Sequence, residues 1–205
     1  MLKRRATTTM IGASTLLIMP PTLVRHAWAQ PDDDAVALVK DASDKLVVIA
    51  NGSGSPEEKR RRLQSVIDAT VDVDAVARFC LGRSWRNATP DQQKEYMMLF
   101  HGLLVTEIAG RLGEYQGVRI TLGLSRASAD TEIVATTVER PGNPIMTIDW
   151  VIAATTGGPK IVDLLAEGTS MRLTHSADFT AYLMGHQYNI HELVEVMRQR
   201  IAQKE

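Results

Sequence analysis

Residues 118–167 of the chain read VRITLGLSRASADTEIVATTVERPGNPIMTIDWVIAATTGGPKIVDLLAE. Apolar residues recur in this stretch at close to every second position, the period of a β-strand. The pattern predicts four strands, over residues 118–124, 132–140, 145–154 and 160–167. Segments rich in proline and glycine, 141–144 and 156–159, separate the last three strands as turns, which indicates an antiparallel meander.

Helical signals flank this sheet on both sides. Ser55-Pro56 with Glu58, and Thr89-Pro90 with Gln92, are typical of helix starts with a capping box. The second start opens the longest predicted helix, residues 90–112, and further helices are expected over 36–49, 73–81, 176–184 and after Asn189. This order predicts an α+β fold in which helices cover one curved, antiparallel, four-stranded sheet.

The first 29 residues have the three-part plan of a secretory signal peptide. Lys3, Arg4 and Arg5 precede an apolar run over 10–19, and Ala27-Trp28-Ala29 forms a cleavage site before Gln30. Ten apolar residues are too few to span a bilayer, which argues against an uncleaved anchor. Thr7 and Thr8 favour export in the unfolded state over the twin-arginine route. We therefore expect one domain, residues 30–205, that works outside the cytoplasm.

The charge of the exported part excludes a strongly cationic, nucleic-acid-binding protein. Four of the 23 Lys and Arg residues, and none of the 24 Asp and Glu residues, lie in the leader, so residues 30–205 carry a net charge of −5. The single cysteine, Cys80, cannot form an internal disulfide and is expected to be a buried apolar residue.

The titratable residues form no convincing catalytic or metal-binding motif. The histidines after the leader make no HExxH and have no second cysteine beside them, so no metal or cofactor is expected. Asp149 and Asp163, on neighbouring predicted strands, are the pair that an enzyme of this fold would use as acid and base. The simpler interpretation places both carboxylates on the polar rim of the sheet.

The predicted strand over residues 145–154 is apolar on both faces. One face carries Met146, Ile148, Trp150 and Ile152, while Ile145 and Val151 lie on the other. An antiparallel sheet with one wet face should alternate more cleanly. The strand therefore indicates either a sheet covered on both sides or an internal apolar cavity between sheet and helices.

One segment carries a family resemblance. Residues 79–92, FCLGRSWRNATPDQ, closely resemble a motif of the MlaC family, also called the toluene-tolerance family. The likeness recurs in residues 161–171, IVDLLAEGTSM, and extends over essentially the whole chain after the leader. Two departures, Cys80 where valine is commoner and Thr169 where an aliphatic residue is usual, leave the expected fold intact.

The resemblance implies a periplasmic phospholipid carrier that is not an enzyme. Members of the family shelter acyl chains inside a cone similar to that of nuclear transport factor 2, with an internal apolar cavity. They exchange lipid with an inner-membrane ABC transport complex and an outer-membrane lipoprotein–porin complex, which maintains the lipid asymmetry of the outer membrane. A related branch accompanies hopanoid biosynthesis, so a hopanoid or another apolar lipid is the alternative cargo, and we expect a monomer.

The predicted cavity wall consists of apolar residues on helix and strand positions expected to face inward. They are Phe79, Trp85, Met97, Phe100, Leu104, Ile108, Met146, Ile148, Trp150 and Leu165. A filled core at these positions would instead indicate a structural adaptor. The run Arg60–Arg62 is either a solvated helix face or a docking surface, and Arg83 and Arg86 are expected to have a structural or docking role beside Trp85.

Overall fold

The computed structural model describes residues 33–204, so the predicted leader lies outside the described residues. Within that range, helices precede and follow a single antiparallel sheet, which confirms the α+β prediction. The elements are α1 (Asp33–Asn51), α2 (Pro56–Thr70), α3 (Val73–Leu81), α4 (Ser84–Asn87), α5 (Pro90–Ala109), a 3-10 turn (Leu112–Tyr115), β1 (Arg119–Ser128), β2 (Thr131–Glu139), β3 (Met146–Thr155), β4 (Gly158–Ala166), β5 (Thr169–Ser170), α6 (Met171–Gly185) and α7 (Ile190–Ala202). None of the described helices is long and apolar enough to cross a membrane.

Side-chain caps fix the helix starts. The Ser55 hydroxyl accepts a hydrogen bond from the backbone N–H of Glu58 at the start of α2. Thr89 and Gln92 form the predicted reciprocal capping box at the start of α5. Helix α6 begins at Met171 instead of residue 176, because Ser170 caps it by accepting from the N–H of Leu173.

The sheet has five strands in the order β1-β2-β3-β4-β5, one more than the four predicted. The additional strand, β5, has only two residues, too few to show a period of two. It forms because Glu167 and Gly168, both with positive φ, reverse the chain and pair Leu165 with Ser170. Strand β1 runs on to Ser128 through a bulge between Leu122 and Ser125.

Helix α1 covers the inner face of the sheet. Its residues Ala35, Val39 and Ala42, spaced by four and three, are buried in one apolar cluster with Val134 and Trp150 of the sheet. Larger side chains of the same helix, Val36, Leu38 and Leu46, pack against this cluster and are partly buried.

A second core lies among helices α3, α5, α6 and α7. Its centre is a group of aromatic rings in which Tyr96 and Phe100 lie 5.9 Å apart and Phe100 and Phe179 lie 6.2 Å apart. The hydroxyl of Tyr96 donates a 2.8 Å hydrogen bond to the backbone oxygen of Ala77, and burial raises the pKa of Tyr96 above its usual range. Helices α3 and α6 of this group also pack against β4.

Candidate functional site

The apolar interior is continuous from the sheet to the helices. Ile148 belongs both to the cluster around Val134 and to a neighbouring cluster around Val118 and Val138. Leu46 and Val71 connect the first of these to a third cluster between α2 and α5. A ligand with long apolar chains could therefore contact the inner face of the sheet and reach α5 without meeting a polar layer.

The hydroxyl of Thr136, on the inner face of the sheet, forms its hydrogen bonds within the protein. Thr136 is 1% exposed, and its hydroxyl donates to the backbone oxygen of Ile148 at 3.1 Å. The same hydroxyl accepts a 2.9 Å hydrogen bond from Nε1 of Trp150. Because these groups satisfy one another, they present no unpaired donor or acceptor to the interior.

Three of the ten predicted wall residues come together on this inner face. Met146, Ile148 and Trp150 lie on β3 opposite α1, and Trp150 is buried. Leu104 and Ile108 pack in the neighbouring cluster between α2 and α5.

The other five predicted wall residues lie elsewhere. Trp85, Met97 and Phe100 belong to the aromatic core among the helices. Phe79 is 40% exposed at the end of α3. Leu165 pairs with Asp149 and lies on the face of the sheet opposite α1.

Sequence reasoning missed the contribution of α1. Ala35, Val39 and Ala42 face Val134 and Trp150, yet only larger side chains were considered as wall residues. The signal was present as the i, i+4, i+7 spacing along α1, which places these small residues on one stripe.

Two open concavities mark the surface around this interior. A groove of about 370 Å³ lies between α1 and α2, with an apolar floor that includes Val48, Ile49 and Val66. A hollow of about 270 Å³ lies at the ends of β2 and β3, lined in part by Glu132 and Ile152. Pockets for drug-sized ligands span roughly 300–1,000 Å³, and a two-chain phospholipid is larger than such ligands.

Side chains fill the space between α1 and the sheet around Val39 and Val134, which are both fully buried. A two-chain lipid can therefore enter this layer only if α1 moves away from the sheet. The filled layer is also what a structural adaptor would have, so occupancy by lipid has to be tested directly.

Asp149 and Asp163 are each held by their own donors. Asp149 forms a 2.9 Å ion pair with Arg126. Asp163 is buried and accepts hydrogen bonds from Ser170 Oγ at 2.5 Å and from the backbone N–H of Arg172 at 2.9 Å. These contacts are those of structural carboxylates, and they give no support to an acid–base pair.

No group of three or more His, Cys, Asp or Glu side chains within residues 33–204 is arranged to hold a metal ion. His101 instead pairs with Asp68, and His175 lies 3.6 Å from Glu107, so each links two helices. Cys80 is buried as predicted, and burial raises the pKa of its thiol to about 12.

The three arginines at the start of α2 do not form one solvated face. Arg60 is half-buried and donates a 2.9 Å hydrogen bond to Oγ1 of Thr106, which is itself buried. Arg61 and Arg62 are exposed, and Arg62 lines the groove between α1 and α2. The docking hypothesis therefore remains for the last two only.

Comparison with known proteins gives two matches. The family model described as "MlaC protein" matches residues 40–199. Among solved structures, the chain is similar to a phospholipid-binding protein from Ralstonia solanacearum in complex with a phospholipid, with a TM-score of 0.73 and 26% sequence identity. That likeness covers 83% of this chain and 98% of the other. No curated protein matches the sequence.

Proposed function

Since the chain belongs to the MlaC family, we propose that it is a phospholipid carrier that holds its cargo by the acyl chains. The observation that carries this proposal is the likeness, over most of both chains, to a protein whose structure contains a phospholipid. The continuous apolar interior supports it, because such a surface is chemically suited to hydrocarbon.

The acyl chains lie in the layer between α1 and the inner face of the sheet, against Met146, Ile148 and Trp150. Helix α1 moves outward as the lipid enters. The separation withdraws the inner stripe of α1, together with Val36, Leu38 and Leu46, from apolar contact at about 0.8 kcal/mol for each methylene group, and contact with the acyl chains offsets this cost.

Transfer from a bilayer needs no energy source in the carrier itself. Sheltering about thirty methylene groups from water stabilises a two-chain lipid by roughly 24 kcal/mol. A bilayer shelters the same groups, so moving the lipid from bilayer to protein is close to neutral. The direction of transport must therefore come from the partners of the carrier.

The site of action is the periplasm, after export and cleavage before Gln30. There the protein exchanges lipid with an inner-membrane ABC transport complex and an outer-membrane lipoprotein–porin complex, and so contributes to outer-membrane lipid asymmetry. These partners are proposed on family membership alone.

Native mass spectrometry of protein exported to the periplasm and purified without detergent tests the proposal. We expect a population heavier than the bare chain by the mass of one phospholipid, and uptake of phospholipid from liposomes by the delipidated protein. A bound mass equal to that of a hopanoid would identify the alternative cargo. A bare chain that takes up no lipid would contradict the carrier function and favour a structural adaptor.

A further inference from the structure

Two arginine–aromatic contacts lie side by side at the end of α3. The guanidinium carbon of Arg78 lies 5.5 Å from the centre of the Trp85 ring, and that of Arg172 lies 4.2 Å from the centre of the Phe79 ring. A 3.5 Å contact from Cys80 Sγ to the backbone oxygen of Arg172 brings the start of α6 against the end of α3. Arginine and aromatic side chains from the two helices thus share one part of the surface.

Large apolar side chains are exposed beside these arginines. Phe79 is 40% exposed, Met171 is 39% exposed and Leu173 is 58% exposed. Scattered apolar residues are ordinary on protein surfaces, whereas a group at one place marks an interaction site. We name this surface the α3–α6 face and define it by Phe79, Met171, Arg172 and Leu173, and by Arg83 and Arg86, which follow the end of α3 on either side of Trp85 in sequence.

Two arginines of this face have side-chain N–H groups that donate no hydrogen bond within the described residues. Within the described residues, Arg83 and Arg86 are exposed and form no hydrogen bond or ion pair through their side chains. Nε of Arg172 is buried without a hydrogen-bond partner, and its nearest acidic oxygen, Oδ2 of Asp163, is 3.8 Å away. Asp163 is thus the ion-pair partner of Arg172, which leaves Arg83 and Arg86 as the arginines of this face that are available to a ligand.

We propose that the α3–α6 face docks on the surface of an anionic phospholipid bilayer. Arg83 and Arg86 bind lipid phosphates, which match the guanidinium group in charge and hydrogen-bonding geometry. Phe79 and Leu173 enter the boundary between head groups and acyl chains. This proposal rests on the proposed function, since it assigns the surface by which the carrier meets a membrane.

The positive charge of the α3–α6 face favours an anionic membrane as the partner that binds there. Residues 30–205 carry a net charge of −5, so most of the molecule is repelled by an anionic bilayer. The exposed side chains of Arg83 and Arg86 are attracted, which orients the protein with this face towards the lipid. The exposed apolar side chains among them suit the amphipathic boundary of a bilayer.

Co-sedimentation with vesicles tests the surface. Wild-type protein should bind vesicles of phosphatidylcholine with phosphatidylglycerol at low ionic strength and bind phosphatidylcholine vesicles much less. The double variant Arg83→Ser with Arg86→Ser should bind the anionic vesicles about 30-fold more weakly, from about 1 kcal/mol for each arginine near the surface. Lysine at both positions should restore most of the binding.

The matched control is Arg111→Ser with Arg200→Ser, which removes two exposed arginines outside the α3–α6 face and changes the net charge equally. It should bind as the wild type does. Equal loss in the control, or wild-type binding by the Arg83 and Arg86 variant, would overturn the proposal. Native mass spectrometry of the same variants should show unchanged bound lipid, which separates this result from a failure of the carrier function.

Discussion

Asp163 is a single residue that links three elements. It lies on β4, accepts from the hydroxyl of Ser170 on β5 and from the backbone N–H of Arg172 in α6, and also accepts from the N–H of Leu164. Sequence spacing placed Asp163 and Asp149 on neighbouring strands correctly, but it could not show that Asp163 is buried under α6. Asp163 is more deeply buried than Asp149 because helix α6 packs against β4, the strand that carries Asp163.

We predict that Asp163→Asn destabilises the protein by about 3 kcal/mol, because it removes the buried charge that Arg172 and the hydrogen-bond donors compensate. Asp149→Asn, at the more exposed ion pair with Arg126, should cost about 1 kcal/mol or less. Urea unfolding of both variants measures the difference. Equal costs for the two substitutions would show that Asp163 does not link these elements as described.

Cys80 provides a test of burial that depends on pH. Because burial raises the pKa of its thiol from 9.0 to about 12, the reactive thiolate at pH 8 is about a thousandfold scarcer than for an exposed cysteine. We expect iodoacetamide to leave the folded protein unmodified at pH 8 and to label it rapidly in urea. Rapid labelling of the folded protein would contradict the packing of α3 against α6.

At the scale of elements, the sequence located a helix start that neighbouring capping residues determine, but it misplaced one that depends on pairing with a distant strand. The capping box of Thr89 and Gln92 is contained within four residues, so the sequence located the start of α5. The start of α6 was placed too late, because the cap at Ser170 follows a two-residue strand that only pairing with β4 creates. Element boundaries that depend on distant partners leave little trace in periodicity.

Helix α1 is the element that must move if the protein carries lipid as we propose. We predict that Ala42→Leu lowers the amount of co-purified lipid, because leucine fills part of the layer between α1 and the sheet. It should also destabilise the lipid-free protein by about 1–3 kcal/mol through overpacking. Native mass spectrometry and urea unfolding measure the two effects.

The control for this substitution is Ala181→Leu on α6, where the side chain is exposed and should change stability by no more than about 0.5 kcal/mol. It should retain wild-type lipid content. Unchanged lipid content in the Ala42→Leu variant would place the cargo away from α1.

At the scale of the whole molecule, sequence motifs identified the family while periodicity did not delimit the site. Met146, Ile148 and Trp150 were grouped correctly because alternation assigns residues to one face of a strand. Helical periodicity could not distinguish the interior next to the sheet from the core among the helices. Phe100, which was predicted to line the cavity, lies in the core among the helices. Both environments favour the same apolar side chains, so only the packed structure separates them.

The central claim is that acyl chains occupy the layer between α1 and the inner face of the sheet. Residues 30–205 contain two tryptophans, Trp85 and Trp150, and the second lies in that layer. In a Trp85→Phe variant of residues 30–205, Trp150 is therefore the only tryptophan. The decisive measurement is its fluorescence during titration with phospholipid brominated along the acyl chains, a quencher that acts at contact. We predict strong quenching that the unbrominated lipid does not produce, whereas bound brominated lipid with unchanged Trp150 emission would contradict the account.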